Sequence, residues 1–161
     1  MMTTFGTYVQ TIIEQAGHHA SKDGSATIEA HHLLLAIAAQ EGTTAHHALI
    51  SVGLDQEAIH DALDREFEDS LRAAGVSRGA FDLPQPSSDP KPSARVGASA
   101  KLALERGVAA AARKKDLRPA HLLLGILEAR VGTVPRALAL AGIDQADLTA
   151  RIRQALTNNG R

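Results

Sequence analysis

Nothing constrains the fold of this 161-residue chain more than the fact that it repeats itself. The stretch Ala30-His31-His32-Leu33-Leu34-Leu35-Ala36-Ile37 returns as Pro119-Ala120-His121-Leu122-Leu123-Leu124-Gly125-Ile126. The offset of 89 from His32 to His121 holds without a gap through Ala48-Leu49 against Ala137-Leu138. It still holds at Gly53-Leu54-Asp55-Gln56 against Gly142-Ile143-Asp144-Gln145, at Ile59 against Leu148, and at Leu63 against Ile152. Upstream of the histidines the offset becomes 91, as Ile13-Glu14 against Leu104-Glu105. The two extra residues fall in Ser21 to Ala26, where a surface loop tolerates them. Internal repetition decides the architecture before any local propensity does.

The repeated unit reads as helical. Alanine and leucine dominate, and β-branched runs are absent. A first helix is expected from Phe5 to about His19 or Ser21, capped by Thr3 or Thr4. A second begins near Glu29 and is apolar nearly all round, the mark of a buried helix. A short third covers roughly Ala45 to Val52. Gly53 ends it, and Asp55 caps a fourth. In the fourth, Ile59, Leu63, Phe67 and Leu71 make one apolar stripe, while Asp61, Asp64, Arg65, Glu66 and Glu68 are expected to face water.

Pro84, Pro86, Pro90 and Pro92 interrupt the segment between Gly75 and Arg95, which reads as an extended linker pinned by Phe81 and Leu83. The plan then recurs. A helix is expected from Gly97 to Lys114, with Lys101 placed to pair with Glu105. Pro119 opens the helix bearing His121, Pro135 opens a short one, Gly142 closes it and Asp144 caps the last. The expected organisation is one all-α domain over residues 1–161. Repeat one spans 3–74, the proline-rich linker 75–95, and repeat two 96–157.

Composition narrows the function. There is no cysteine, which removes disulfides, thiolate metal sites and cysteine nucleophiles together. The net charge of −1 and an aromatic content of 2% argue against a nucleic-acid partner. The one basic run, Arg113-Lys114-Lys115, reads as a complement to a helix C-terminus. The N-terminus has no signal-peptide pattern, and no apolar run is long enough to span a membrane, so a cytoplasmic location is expected.

Eight histidines invite a metal hypothesis: His18-His19, His31-His32 and His46-His47 in pairs, with His60 and His121 alone. Adjacent helical residues point about 100° apart. No pair has the i, i+4 spacing of a helical metal site, so neither a metal nor another cofactor is expected. A small-ligand or metal sensor built on the histidines stands as the alternative. His32 and His121 open buried leucine helices, where each is expected to make a structural hydrogen bond between helices. No nucleophile-elbow or phosphate-loop motif is present, and no enzymatic activity is expected.

Two copies of His-Leu-Leu-Leu, each followed by a glycine-aspartate step, resemble the N-terminal domain of Clp-type AAA+ unfoldases, especially the ClpC branch. The resemblance runs from about Phe5 to Leu156 apart from the linker. It implies eight helices in two four-helix repeats related by a pseudo-twofold axis. It also implies a non-catalytic module that recruits substrates and adaptors to a Clp ATPase. By the same resemblance, a groove between the repeats would be lined near Phe5, Gly6, His31, Val96, Gly97 and Ala120. In ClpC-type domains a glutamate before each motif histidine helps hold the guanidinium of phosphoarginine, and a threonine follows the aromatic that opens each first helix. Here those positions are His31 and Ala120, and Gly6 and Gly97, so phosphoarginine recognition is expected to be lost. The expected role is that of an adaptor, modulator or decoy in Clp-dependent proteolysis, with a cyclic peptide among possible ligands. The long linker and the Asn-Asn-Gly-Arg end suggest a free-standing protein rather than an excised piece of an unfoldase.

Overall fold

The computed structural model describes residues 4–75 and 95–159. Eight α-helices follow in order: α1 (Thr4–Lys22), α2 (Ala30–Ala39), α3 (Thr44–Ser51), α4 (Gln56–Ala73), α5 (Ala98–Ala110), α6 (Pro119–Leu127), α7 (Thr133–Leu140) and α8 (Gln145–Asn159). Residues 76–94, which hold nearly all of the expected linker with Phe81 and Leu83, lie outside the described residues. Among the described residues no helix is long and apolar enough to cross a membrane.

Local chemistry sets the boundaries. Gly53 and Gly142 take positive φ of 80° and 75°, a conformation that costs other residues dearly and so ends α3 and α7 there. Asp55 then accepts the amide of Ala58 at 2.8 Å, and Asp144 accepts those of Ala146 and Asp147. Thr43 caps α3 by accepting from His46. Helix α5 stops at Ala110, short of the expected Lys114, and the basic run enters a 3-10 turn at Lys114–Asp116. No ion pair joins Lys101 to Glu105.

The centre of the molecule is α2 and α6. Every residue of α2 from His32 to Ala38 is buried, as is every residue of α6 from Ala120 to Leu127. A helix apolar on all sides has to be enclosed on all sides. Both central helices contact elements of each half: α2 touches α1, α3, α4, α5, α6 and α7, and α6 touches α1, α2, α3, α5, α7 and α8. The main contacts between the halves come in matched pairs. Helix α4 packs on α7 as α8 packs on α3, and α2 meets α5 as α6 meets α1. Exchanging the first four helices with the last four reproduces the pattern, which is the expected pseudo-twofold arrangement.

The halves differ where α5 crosses α6. A Cβ built on Gly125 would overlap the backbone carbonyl of Ala103 and the backbone of Gly107. A Cβ on Gly107 would stand 2.8 Å from the carbonyl of His121. The matching positions in the first half are Ala36 and Ala16, both of which carry a Cβ. At this crossing the second half needs glycine for backbone-to-backbone contact.

Helix α4 departs from the sequence reading. Its buried positions are Ile59, Ala62 and Glu66; of the expected stripe, Ile59 is buried and Leu63 packs half-buried against the core, but Phe67 is 39% exposed. Glu66, expected in water, is 5% exposed. It is buried because α7 brings Arg136 to its carboxylate, Nε to Oε1 at 2.9 Å, while Ser70 donates to the same oxygen at 2.7 Å. This pair crosses the two halves, and a partner 70 residues away leaves no mark on a helical wheel.

Two stability predictions follow from these contacts. Gly125→Ala forces α5 and α6 apart and should cost about 3 kcal/mol, the upper part of the overpacking range, read by chemical denaturation. Arg136→Ala strands a buried carboxylate and should cost about 2 kcal/mol. Adding Glu66→Gln to that variant should recover most of the loss, because the stranded charge is gone; no recovery would mean that Arg136 acts through packing alone.

Candidate functional site

Two helix N-termini cap one another where the halves meet. The amide of Ala30, first residue of α2, donates to Ser99 Oγ at 2.8 Å. Ser99 Oγ donates in turn to Glu29 Oε1 at 2.7 Å, and the Ser99 amide points at the same oxygen at 3.3 Å. Glu29 precedes α2, and Ser99 lies in the first turn of α5, so each helix receives a side-chain cap from the other. Ile28 and Val96 form a parallel bridge beside them, with Ile28 N to Arg95 O at 2.7 Å and Gly97 N to Ile28 O at 2.8 Å. A Cβ on Gly97 would overlap the Glu29 carboxylate, so glycine is the residue that admits this arrangement. The pseudosymmetric seam is different: Tyr8 and Arg118 stand where Ser99 and Glu29 do. The Tyr8 hydroxyl is buried with no hydrogen-bond partner among the described residues, and burial pushes its pKa up.

The motif histidines cap their own helices. His32 Nδ1 accepts the amide of Glu29 at 3.0 Å, and His121 Nδ1 accepts that of Arg118 at 3.0 Å. The expected bonds between helices are instead bonds to the residue preceding each helix, a donor that would otherwise be buried unpaired. His32 also reaches back to the loop after α1, with Nε2 2.8 Å from Asp23 Oδ2.

Asp23, His31 and His32 offer ligand atoms within 4.8 Å of one another. The loop after α1 supplies the third group, which helical spacing alone could not reveal. The tautomer of His32 argues against ligation. A neutral ring that accepts at Nδ1 carries its proton on Nε2, and that proton is aimed at Asp23. Using Nε2 for a metal would break the cap at Glu29. Asp23 and His32 are therefore read as a closed hydrogen-bonded cap with the His31 ring 4.0 Å from that of His32, and Ser99, committed to Ala30 and Glu29, is equally ill placed as a nucleophile.

Beside the reciprocal caps opens a cavity of about 430 Å³. Glu29, His31 and Ser99 border it with Arg106 and Arg130, and Leu102, Ile126, Val131 and Val134 form its apolar wall. Leu102 is 45% exposed and Val131 is 85% exposed. Of the six residues expected to line a groove, only His31 borders this cavity. Val96 and Gly97 sit next to it at the bridge; Phe5 and Gly6 occupy the first turn of α1. Ala120 is 0% exposed and offers no surface. Sequence reasoning missed Leu102 and Val131. An apolar residue that the repeat replaces by Thr11 or Gly42 was the available signal.

The Clp repeat (R) N-terminal domain family matches residues 4–106. That span holds the first four helices and most of α5, and therefore both reciprocal caps. No curated protein matches the chain.

Titration at the seam is dominated by His31. Burial, reinforced by the neighbouring His32, lowers its pKa to about 4. Burial also lowers His19 and His121. Burial would raise the Glu29 carboxylate, but hydrogen bonds from Thr27 and Ser99 outweigh it and hold Glu29 below its usual range. Burial opposes Asp23 in the same way and is outweighed by the bond from His32. The sign follows from proton binding. Between pH 6.5 and about 4 the unfolded chain protonates His31 and the fold does not, so stability falls as pH falls through that window. The depressed carboxylates of Glu29 and Asp23 add a loss of the same sign from about pH 5 downward, overlapping the acid end of that window. His31→Gln should flatten the decline between pH 6.5 and 4 by up to about 3 kcal/mol, read from urea midpoints at several pH values. An unchanged slope would show that His31 protonates freely in the folded state.

Proposed function

This chain belongs to the Clp repeat N-terminal domain family, and on that premise we propose that it is a non-catalytic, ClpC-type peptide-binding module of Clp-dependent proteolysis. Its partners would be a Clp ATPase or the substrates and adaptors of one, and it would act as an adaptor, modulator or decoy. The observation that carries this reading is the cavity at the seam, where Leu102 and Val131 stay exposed beside His31 and Ser99. A concave apolar wall with a few polar groups at one end is the usual form of a ligand site.

The same seam supports loss of phosphoarginine recognition. Holding a guanidinium calls for a carboxylate that accepts two parallel bonds. His31 stands at the position in question, and burial keeps it from accepting a proton, let alone serving as an anion. The N-terminus of α5, where a phosphate could find free amides, already holds the Glu29 carboxylate. The Glu29 carboxylate, which borders the cavity, is thus spent on a cap between α2 and α5.

Fluorescence anisotropy with two labelled peptides tests the proposal, one rich in leucine and valine and one carrying phosphoarginine. The apolar peptide should bind saturably, and Leu102→Asp with Val131→Asp should weaken it at least about tenfold, equivalent to about 1.4 kcal/mol. The phosphoarginine peptide should not saturate. Tight binding of the phosphoarginine peptide, or indifference of the apolar one to both substitutions, would overturn the reading.

A further inference from the structure

The apolar cavity continues into a basic one. A second cavity of about 670 Å³ is lined by Arg106, Arg130 and Arg153 together with Glu128, Gln145 and Thr149. Arg106 and Arg130 border both cavities, so the two form one trough with an apolar and a cationic end. Among the described residues no ion pair or hydrogen bond engages the guanidinium of any of these three arginines. Their placement is held by the fold. Gln145 Nε2 donates to Leu127 O at 2.7 Å and to Ala129 O at 2.8 Å, fixing the end of α6 from which Arg130 and Val131 project. Gly132, at φ 114°, then turns the chain into α7.

The repeat supplies an internal control. The positions matching Arg106, Arg130 and Arg153 are Gln15, Glu41 and Asp64, and those matching Leu102 and Val131 are Thr11 and Gly42. One backbone plan thus carries a cationic, apolar surface in the second half and an acidic, polar one in the first. The trough is therefore not a by-product of the fold. In a chain of net charge −1, three unpaired arginines around one trough are a local reversal of sign. Arginine presents a planar fork that matches carboxylates bidentately. The trough has no Phe, Tyr or Trp on which bases could stack, which disfavours a single-stranded nucleic acid.

We propose that this trough binds an acidic peptide segment of a partner protein, with an apolar anchor seated against Leu102 and Val131 and neighbouring Asp or Glu side chains on Arg106, Arg130 and Arg153. The proposal rests on the seam being a peptide site and adds the charge that selects the peptide.

The test compares three short labelled peptides with one leucine-valine anchor, followed by Asp and Glu, by Asn and Gln, or by Lys. The acidic peptide should bind at least about tenfold tighter than the amide peptide, with the lysine peptide weakest. Raising the salt concentration should narrow the difference, because exposed charges are screened. Arg130→Gln with Arg153→Gln should narrow it too, while Arg130→Glu with Arg153→Glu should favour the lysine peptide. Equal binding of the acidic and amide peptides would sink the charge selection and leave the peptide site standing; no binding of any peptide would remove both. Displacement of the acidic peptide by a single-stranded oligonucleotide, or reversible self-association abolished by the two glutamate substitutions, would reassign the trough to another occupant.

Discussion

Two helices that cannot face water on any side organise this molecule. Helices α2 and α6 are apolar around their circumference, and a repeat of four helices has too few neighbours to enclose its own. Each half therefore borrows from the other, α4 lying on α7 and α3 against α8. Folding either half alone would leave one side of a leucine helix exposed. The buried starts of these helices raise a second demand, since their first amides have no partner within the helix. His32 and His121 answer it by accepting from the residue before each helix. The histidine and the leucines after it thus act as one device, which explains why they recur together.

The duplicated plan has diverged in ways that bear on use. In the second half α5 and α6 touch backbone to backbone through Gly107 and Gly125, whereas Ala16 and Ala36 stand at the matching positions of α1 and α2. At one seam Glu29 and Ser99 close two helix ends on each other; at its mate stand Arg118 and Tyr8. A symmetric fold therefore presents unlike surfaces, and the open cavity lies beside the closed caps. The carboxylate that could have met an incoming cation is bound within the protein, which shifts recognition towards apolar contact and towards the arginines.

Much of the fold was legible along the chain because its signals are local. The glycine-aspartate steps at Gly53-Leu54-Asp55 and Gly142-Ile143-Asp144 mark helix boundaries by backbone strain and side-chain capping, and the structure places them there. The site was less legible. Glu66 reads as solvent-facing until Arg136 arrives from the other half. Phe67 reads as core, although the face of α4 that meets α7 is the one bearing Glu66. Ala120 reads as a groove residue by position, yet it is enclosed within α6. Asp23 joins His32 from a loop for which periodicity says nothing.

The sequence by itself determined the eight helices, their order, the aspartate caps of α4 and α8 and the two helices that had to be buried, because those follow from spacing and from residues a few positions apart. Only the tertiary structure decided that Glu29 spends its charge on Ser99, that Val131 stays exposed beside a cavity, and that Arg106, Arg130 and Arg153 border one trough. The periodicity of a helix tells which residues share a face. What stands opposite that face is settled only when two halves close around helices that neither can bury alone.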